Sequence, residues 1–404
     1  MKRSLLLALA VAASMSAPAY AACDIKSPTP IKIMAAAFPA WKSMTAAMQE
    51  CGNVQVELDM QYRDKQPAAL AAKPALYHVA GTSSNNLVTL LNDGTVRPLD
   101  ELVAKFGQQL TPNQLVRIDG KIVAIAMMVN TQHLMYRSDV LEQLKIAPPT
   151  TYDEFLAAAE AIKKAGVMPY PVGGTYKAGW DLATEFVNIY FSFGGQFVGP
   201  DNKSMVTGDA GQKTLDLMKK LTAYMDPEFL TADATFVAKQ FQQGKVALSN
   251  FWATRAGAID DAKESTVSGK VVMAAAVSAV PGGKPATTLF WDGFAIAKNI
   301  TDAEAEFAFR IALKGIDDDM VKANNNDAVW LIKAYKPSRL SDGAAQSAAK
   351  GAPSYPATTY MGLMQSALGK SLPDFFAGRK TAAEALAAVE AEYTTVAKEK
   401  GILK

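Results

Sequence analysis

Apolar positions along the chain follow two alternating periods. Short β-rich runs at residues 31–37, 54–60, 76–79 and 122–127 are separated by stretches with helical spacing, of which 40–50 is the first. Strands alternating with amphipathic helices predict an α/β layer structure with a largely parallel sheet. Three later helices are marked at their starts by Thr151-x-x-Glu154, Thr301-x-x-Glu304 and Thr381-x-x-Glu384. In such capping boxes the hydroxyl and the carboxylate satisfy backbone N–H groups that the first turn leaves free. The helix after Thr151 carries Phe155, Leu156, Ala159 and Ile162 at helical spacing and stops at Gly166.

The pattern restarts after Met128. Residues 134–136 and the Pro148-Pro149 turn open a second lobe, entered through Val129, Asn130 and Thr131. Gly194-Gly195 through Asp201-Asn202-Lys203 reads as turns flanking a short hairpin, and Pro281-Gly282-Gly283 as a loop before apolar character returns at 287–297. The chain is expected to cross between the two lobes more than once.

The first residues read differently. Lys2 and Arg3 precede an apolar run at 5–13, then Ala19-Tyr20-Ala21, with the small residues a signal peptidase needs. Residues 1–21 are therefore expected to be a signal peptide, with a mature chain from Ala22 in the periplasm, where cysteines can stay oxidised. Cys23 beside the cut also raises lipid anchoring, against which Tyr20-Ala21-Ala22 lacks the leucine usual at the start of a lipobox. Cys23 and Cys51 are the two cysteines. The strand at 31–37 and the helix at 40–50 run antiparallel, which brings the residues flanking them to one edge. A Cys23 to Cys51 disulfide follows.

Composition narrows the classes. With 404 residues, 50% hydrophobic and 20% charged, the chain can bury a large core and form more than one domain. No uninterrupted apolar run reaches the roughly 20 residues that span a bilayer, which removes a channel or carrier built of such spans. The 41 Lys+Arg, less Lys2 and Arg3, equal the 39 Asp+Glu, so no long-range field would gather nucleic acid. Two histidines, His78 and His133, are too few for a histidine-rich metal site; no metal and no cofactor is expected.

Catalytic motifs are thin. Gly369-Lys370-Ser371 has Met364 where a phosphate loop needs its first glycine, and reads as a helix C-terminus followed by a polar loop. Asp317-Asp318-Asp319 lacks the glycine and distal glutamate of a calcium loop and reads as a solvated helix face. Asp181 and Glu185 lie one helical turn apart, a spacing that fits a carboxylate pair as well as two solvated surface acids.

Four stretches together resemble the family 1 extracellular solute-binding proteins of ABC importers, the carbohydrate-binding group that includes maltose-binding protein. They are Ile118-Asp119-Gly120-Lys121-Ile122 continuing through Asn130-Thr131 and Tyr136-Arg137-Ser138-Asp139 to Thr151-Tyr152-Asp153-Glu154-Phe155; Gly194-Gly195-Gln196-Phe197-Val198; Phe241-Gln242-Gln243-Gly244-Lys245 to Asn250-Phe251-Trp252; and Trp291-Asp292-Gly293-Phe294-Ala295. The resemblance implies a two-lobe periplasmic binding protein fold of type II, with hinge crossings and a ligand cleft between the lobes. The N-terminal lobe would comprise 22–129 plus 291–335 and the C-terminal lobe 130–290 plus 336–404. Crossings would lie at Asn130-Thr131, near Thr288 to Trp291, and near Tyr335 to Ser338.

The implied role is capture of a mono- to oligosaccharide, or a sugar derivative, by a monomer that delivers it to the transmembrane subunits of a permease. A sugar ring pairs a face of C–H bonds with an edge of hydroxyls, which suits an indole flanked by hydrogen-bonding side chains. All five tryptophans, Trp41, Trp180, Trp252, Trp291 and Trp330, follow or begin predicted loops. Carried over by position, Phe38 and Trp41 follow the first strand, Thr82 and Ser83 follow the third, and Trp180, Trp252 and Tyr360 match stacking aromatics. Asn250, Arg255, Asp292, Thr131, Arg63 and Gln66 complete the polar candidates, with Trp291 beside Asp292. Other readings are a binding protein for a polyol phosphate, amino compound or short peptide, a secreted polysaccharide lyase or glycosidase using Asp181 and Glu185, or a surface adhesin.

Overall fold

A computed structural model describes residues 23–403, so the expected signal peptide at 1–21 lies outside the described residues. Two sheets organise the chain. The first orders its strands β10-β5-β9-β3-β1-β2 with β4 paired on β5; the second orders them β7-β6-β8. In chain order these are β1 Ile31–Ala35, β2 Val54–Leu58, β3 Val79–Ser83, β4 Leu115–Ile118, β5 Lys121–Asn130, β6 Gln132–Arg137, β7 Leu248–Trp252, β8 Val271–Ala274, β9 Phe290–Ile296 and β10 Val329–Trp330.

The expectation of a largely parallel sheet needs correction. Only β1 with β2 and β1 with β3 pair in parallel; β3–β9, β5–β9, β4–β5 and β5–β10 are antiparallel, as is the whole second sheet. Helical crossovers make the first strands parallel. β4 and β5 instead close through Asp119-Gly120, both at positive φ, as a two-residue hairpin turn requires. β9 enters the first sheet from the second lobe, which fixes its opposite direction. The third strand also lies later than residues 76–79. Gly81, Thr82 and Ser83 join it because β9 pairs along the whole of it, whereas Leu76 is exposed.

Helices cover both faces of the first sheet. Pro39–Gln49 and Asp302–Lys314 bury Trp41, Met44, Met48, Phe309 and Ile311 on one side, while Leu70, Leu87 and Leu90 pack on the other. The second lobe has its own core, built on Phe186, Tyr190, Phe241, Phe251, Met364 and Leu386. All three capping boxes form; Glu154, Glu304 and Glu384 each accept from the backbone N–H of their threonine. Asp317 caps a helix by accepting from Met320 N at 2.8 Å, with Asp318 and Asp319 exposed beyond it. The hairpin at 194–203 reduces to a single bridge, Val198 with Ser204. The polar loop expected after Ser371 is absent, since Leu372 is buried and Pro373–Phe376 forms a further helical turn. Cys23 and Cys51 form the disulfide. Among the described residues no helix is long and apolar enough to cross a membrane.

Candidate functional site

The C-terminal ends of the parallel strands open onto a cleft of about 650 Å³, the position that open α/β sheets reserve for ligands. Phe38 follows β1, Arg63 follows β2, and Asn85 and Asn86 follow β3; from the second lobe Trp180, Asp181, Trp252 and Arg255 close the opposite wall. Gly179, at φ +105, turns the chain into the Trp180–Ser192 helix, so Trp180 stands at the first helical position. Trp252 ends β7, and the turn Ala253–Arg255 carries Arg255 into the cleft. Along β9, Phe290 and Asp292 share one side of the strand.

The aromatic side chains form one platform. The rings of Trp180 and Trp252 stack with centroids 5.8 Å apart and planes at 21°, and Phe290 meets both edge-on. A gap of that size admits no sugar ring between the two indoles. Arg63 lies 4.7 Å from the Trp180 ring and 4.5 Å from that of Tyr62, a geometry that holds the guanidinium in place.

Charges of both signs line the cleft: Arg63, Lys177, Arg255 and Lys370 against Asp64, Asp181, Asp233 and Asp292. Lys177 pairs with Asp233 at 3.3 Å. Burial pushes Asp181 up to about 7, reinforced by Asp233 and opposed by Lys177, Arg63 and Arg255. Burial likewise pushes Asp292 up to about 6, against the pull of Arg63 and of the Asn130 amide, and draws Arg255 below the ordinary guanidinium range. Three buried polar atoms at the cleft, Arg63 Nε, Asn130 Oδ1 and Trp180 Nε1, have no hydrogen-bond partner.

Six of the candidate residues meet here: Phe38, Arg63, Trp180, Trp252, Arg255 and Asp292. The structure places eight elsewhere, each for a local reason. Trp41 is 1% exposed in the first core, and Trp291, on the other side of β9 from Asp292, packs on the Leu70–Leu87–Leu90 cluster. Gln66 donates to the backbone oxygens of Met34 and Gly81. Thr82 and Ser83 are fully buried and donate to Asn86 and Asn85. Thr131 donates to Thr288 O at 2.9 Å, and Asn250 bridges Tyr152 OH and Val277 N. Tyr360 packs against the second core. The fifth tryptophan, Trp330, donates to Asn324 O inside the first core. Asp181 and Glu185 are not solvated surface acids: Asp181 faces the cleft, and Glu185 is buried behind it against Thr175 and Gln132. Asn85, Asn86, Asn130, Phe290 and Gln365 line the cleft unanticipated. Asn130 carried a signal, its place at the first crossing.

The model of the family described as bacterial extracellular solute-binding protein matches residues 34–312. A probable sugar-binding periplasmic protein of Mesorhizobium japonicum is 27% identical over 164 residues, covering 39% of this chain and 36% of that one. The chain thus matches little more than a third of that relative's length. A solute-binding protein of Agrobacterium radiobacter K84 in complex with ribitol superposes with TM-score 0.81 at 19% identity, covering 92% of this chain and 99% of that one. Maltose-bound MalE3 of T. maritima gives TM-score 0.78 at 19% identity over 91% and 100%. These likenesses establish the two-lobe fold, and the family match extends through both sheets and most of the cleft-forming strands: the chain belongs to the bacterial extracellular solute-binding proteins.

Proposed function

We propose that this protein is the receptor of an ABC importer, capturing a mono- to oligosaccharide or sugar derivative in the cleft and handing it unchanged to a membrane permease. The observation that carries the reading is the Trp180–Trp252–Phe290 platform, set among polar groups of both signs in an interlobe cleft. An apolar ring face flanked by donors and acceptors matches the two-sided chemistry of a sugar. The balance of four cationic against four acidic side chains favours a neutral guest over a polyol phosphate. The ribitol and maltose held by the similar folds bracket a plausible size range. Glu185 does not line the cleft, so a catalytic pair with Asp181 gains no support.

In this reading the lobes divide as 22–129 plus 291–335 and 130–290 plus 336–404, and close around the guest by hinge motion. The mature monomer starts at Ala22 and works in the periplasm, free of a lipid anchor because Cys23 is engaged in the disulfide. Micromolar capture needs about −8 kcal/mol, which one stacked face and several hydrogen bonds supply after closure costs. A thermal-shift panel containing ribitol, D-mannitol, D-glucose and maltose tests this. A ligand at about 100 times its Kd adds about 2.7 kcal/mol of stability, and chromatography should recover it unaltered. Chemical conversion of the sugar, or stabilisation by phosphates or peptides alone, would overturn the proposal.

A further inference from the structure

We infer that Arg63, Asn130, Trp180 and Asp292 form a subsite that reads a single uncharged hydroxyl of the guest and rejects an anionic group in its place. The inference rests on the sugar-capture reading and specifies which chemical group that site selects. Arg63 is held from three sides: its guanidinium lies against the Tyr62 and Trp180 rings, and Nη2 reaches Ser83 Oγ at 3.5 Å. Its Nε is nonetheless buried and unpartnered, as is the indole Nε1 of Trp180. On the same sheet, Asn130 turns its amide Nδ2 toward Asp292 Oδ2 at 3.5 Å, which orients the amide and leaves Oδ1 buried and unpartnered. Arg63 acts on Asp292 through its charge, favouring the ionised carboxylate, without a direct hydrogen bond to it.

The inventory of these groups is two free N–H donors, one free amide oxygen and one carboxylate. A hydroxyl offers two lone pairs and one hydrogen, so it accepts from Arg63 and Trp180 while donating to Asn130 or Asp292. A carboxylate or phosphate has only acceptors; it would leave Asn130 Oδ1 unsatisfied and meet the charge of Asp292. An ammonium has only donors; it would strand both N–H groups and meet the guanidinium. Buried polar groups left unpaired are what make such a site selective. Trp180 thereby acts through its N–H as well as its face, and Asn130 joins the site from the first crossing.

Calorimetry of the mature protein with matched neutral and acidic probes tests this: D-mannitol against D-mannonate, D-glucose against D-gluconate, and maltose against maltobionate. In at least one pair the neutral member should bind about tenfold or more tighter. Arg63→Lys, which keeps the charge and loses the Nε–H, and Asn130→Leu should each weaken the neutral member about tenfold while the melting temperature of the free protein changes little. Equal or tighter binding of the acidic member, measured on the unmodified protein, overturns the hydroxyl assignment and leaves solute capture standing. So does unchanged affinity in both variants. Binding of none of the six probes removes the sugar-capture reading, and the subsite with it.

Discussion

The side-chain amide of Gln132 donates to Glu185 Oε1 at 2.8 Å, and its carbonyl accepts from Asn188 Nδ2 at 2.9 Å. Gln132 opens β6, with only Thr131 between it and the end of β5, and Glu185 and Asn188 belong to the helix that begins with Trp180. The network continues: Thr288 donates to Asn188 Oδ1 at 2.9 Å, and Thr131 donates to Thr288 O. The Thr131-Gln132 and Thr288 segments are thus tied to the helix that begins with the Trp180 of the stacked pair. Buried networks with their members satisfied are rigid, so the closure proposed above would bend the chain on the first-sheet side of these bonds, toward Asn130 and Phe290.

Glu185 gives that network a pH dependence. Burial pushes its carboxyl up to about 7 from an ordinary 4.5, with Thr175 and Gln132 opposing and Asp181 reinforcing. The folded state then holds a proton that the unfolded state releases, so the contribution is fully present below pH 4.5 and lost as pH rises through about 7. Wild type should lose about 2 kcal/mol between pH 5 and 8 relative to Glu185→Gln. His133, which burial draws down to about 4, titrates with the opposite sign but cancels in this comparison. Urea midpoints of the two proteins at several pH values check it; parallel profiles would contradict the protonation of Glu185.

Trp252 and Trp41 should part company. Trp252→Ala removes half of the stacked pair and is expected to weaken sugar binding at least tenfold, about 1.4 kcal/mol. Trp41→Ala, in the closed core beneath Gly81 and Ala35, is expected to cost about 3–5 kcal/mol of stability. Calorimetry and urea unfolding separate the two. Equal binding by Trp252→Ala would remove that ring from the site.

That contrast marks what the sequence could reveal. Strand ends were legible from periodicity, and Phe38, Arg63 and Arg255, which follow β1, β2 and β7, fall at the cleft with Trp252 at the end of β7, because open sheets place ligands there. Side-chain direction was not legible. Trp291 and Asp292 are neighbours facing opposite ways on β9, whose pairing with β5 shifts register between Ala126 and Met128. Thr82 and Ser83 looked free because nothing local announced that Asn85 and Asn86 would capture their hydroxyls. Sheet direction escaped for the same reason: β9 arrives from the other lobe, and no local pattern records that.

The disulfide should matter for stability and leave the site untouched. Cys23 and Cys51 are 28 residues apart, and closing a loop of that size stabilises by about 3 kcal/mol in the chain-entropy model. The double variant Cys23→Ser/Cys51→Ser should show that loss by urea unfolding, with sugar affinity unchanged. A shift in affinity would mean that the edge of β1 and β2 is coupled to the cleft.

Gly369, in the Gly-Lys-Ser sequence that resembles a phosphate loop, has a different purpose. It lies in the Thr359–Ser371 helix where that helix crosses the start of the Trp180–Ser192 helix. A Cβ added there would stand 2.8 Å from Gly179 O and 2.9 Å from Gly179 C. Both contacts are backbone, so no rotamer change can relieve them, and Gly179 is itself held at φ +105. Gln365, one turn earlier on the same face of the helix, donates to Trp180 O at 3.2 Å and to Thr184 Oγ1 at 2.8 Å, pinning the same segment. Gly369→Ala must therefore push the Gly179–Trp180 turn, and with it the indole, out of place. The expected cost is about 1–3 kcal/mol of stability from overpacking, together with weaker sugar binding. Ser371→Ala, at the last residue of the same helix, should change neither. Full affinity in Gly369→Ala would show that the platform tolerates displacement of its helix and that the close approach serves packing alone.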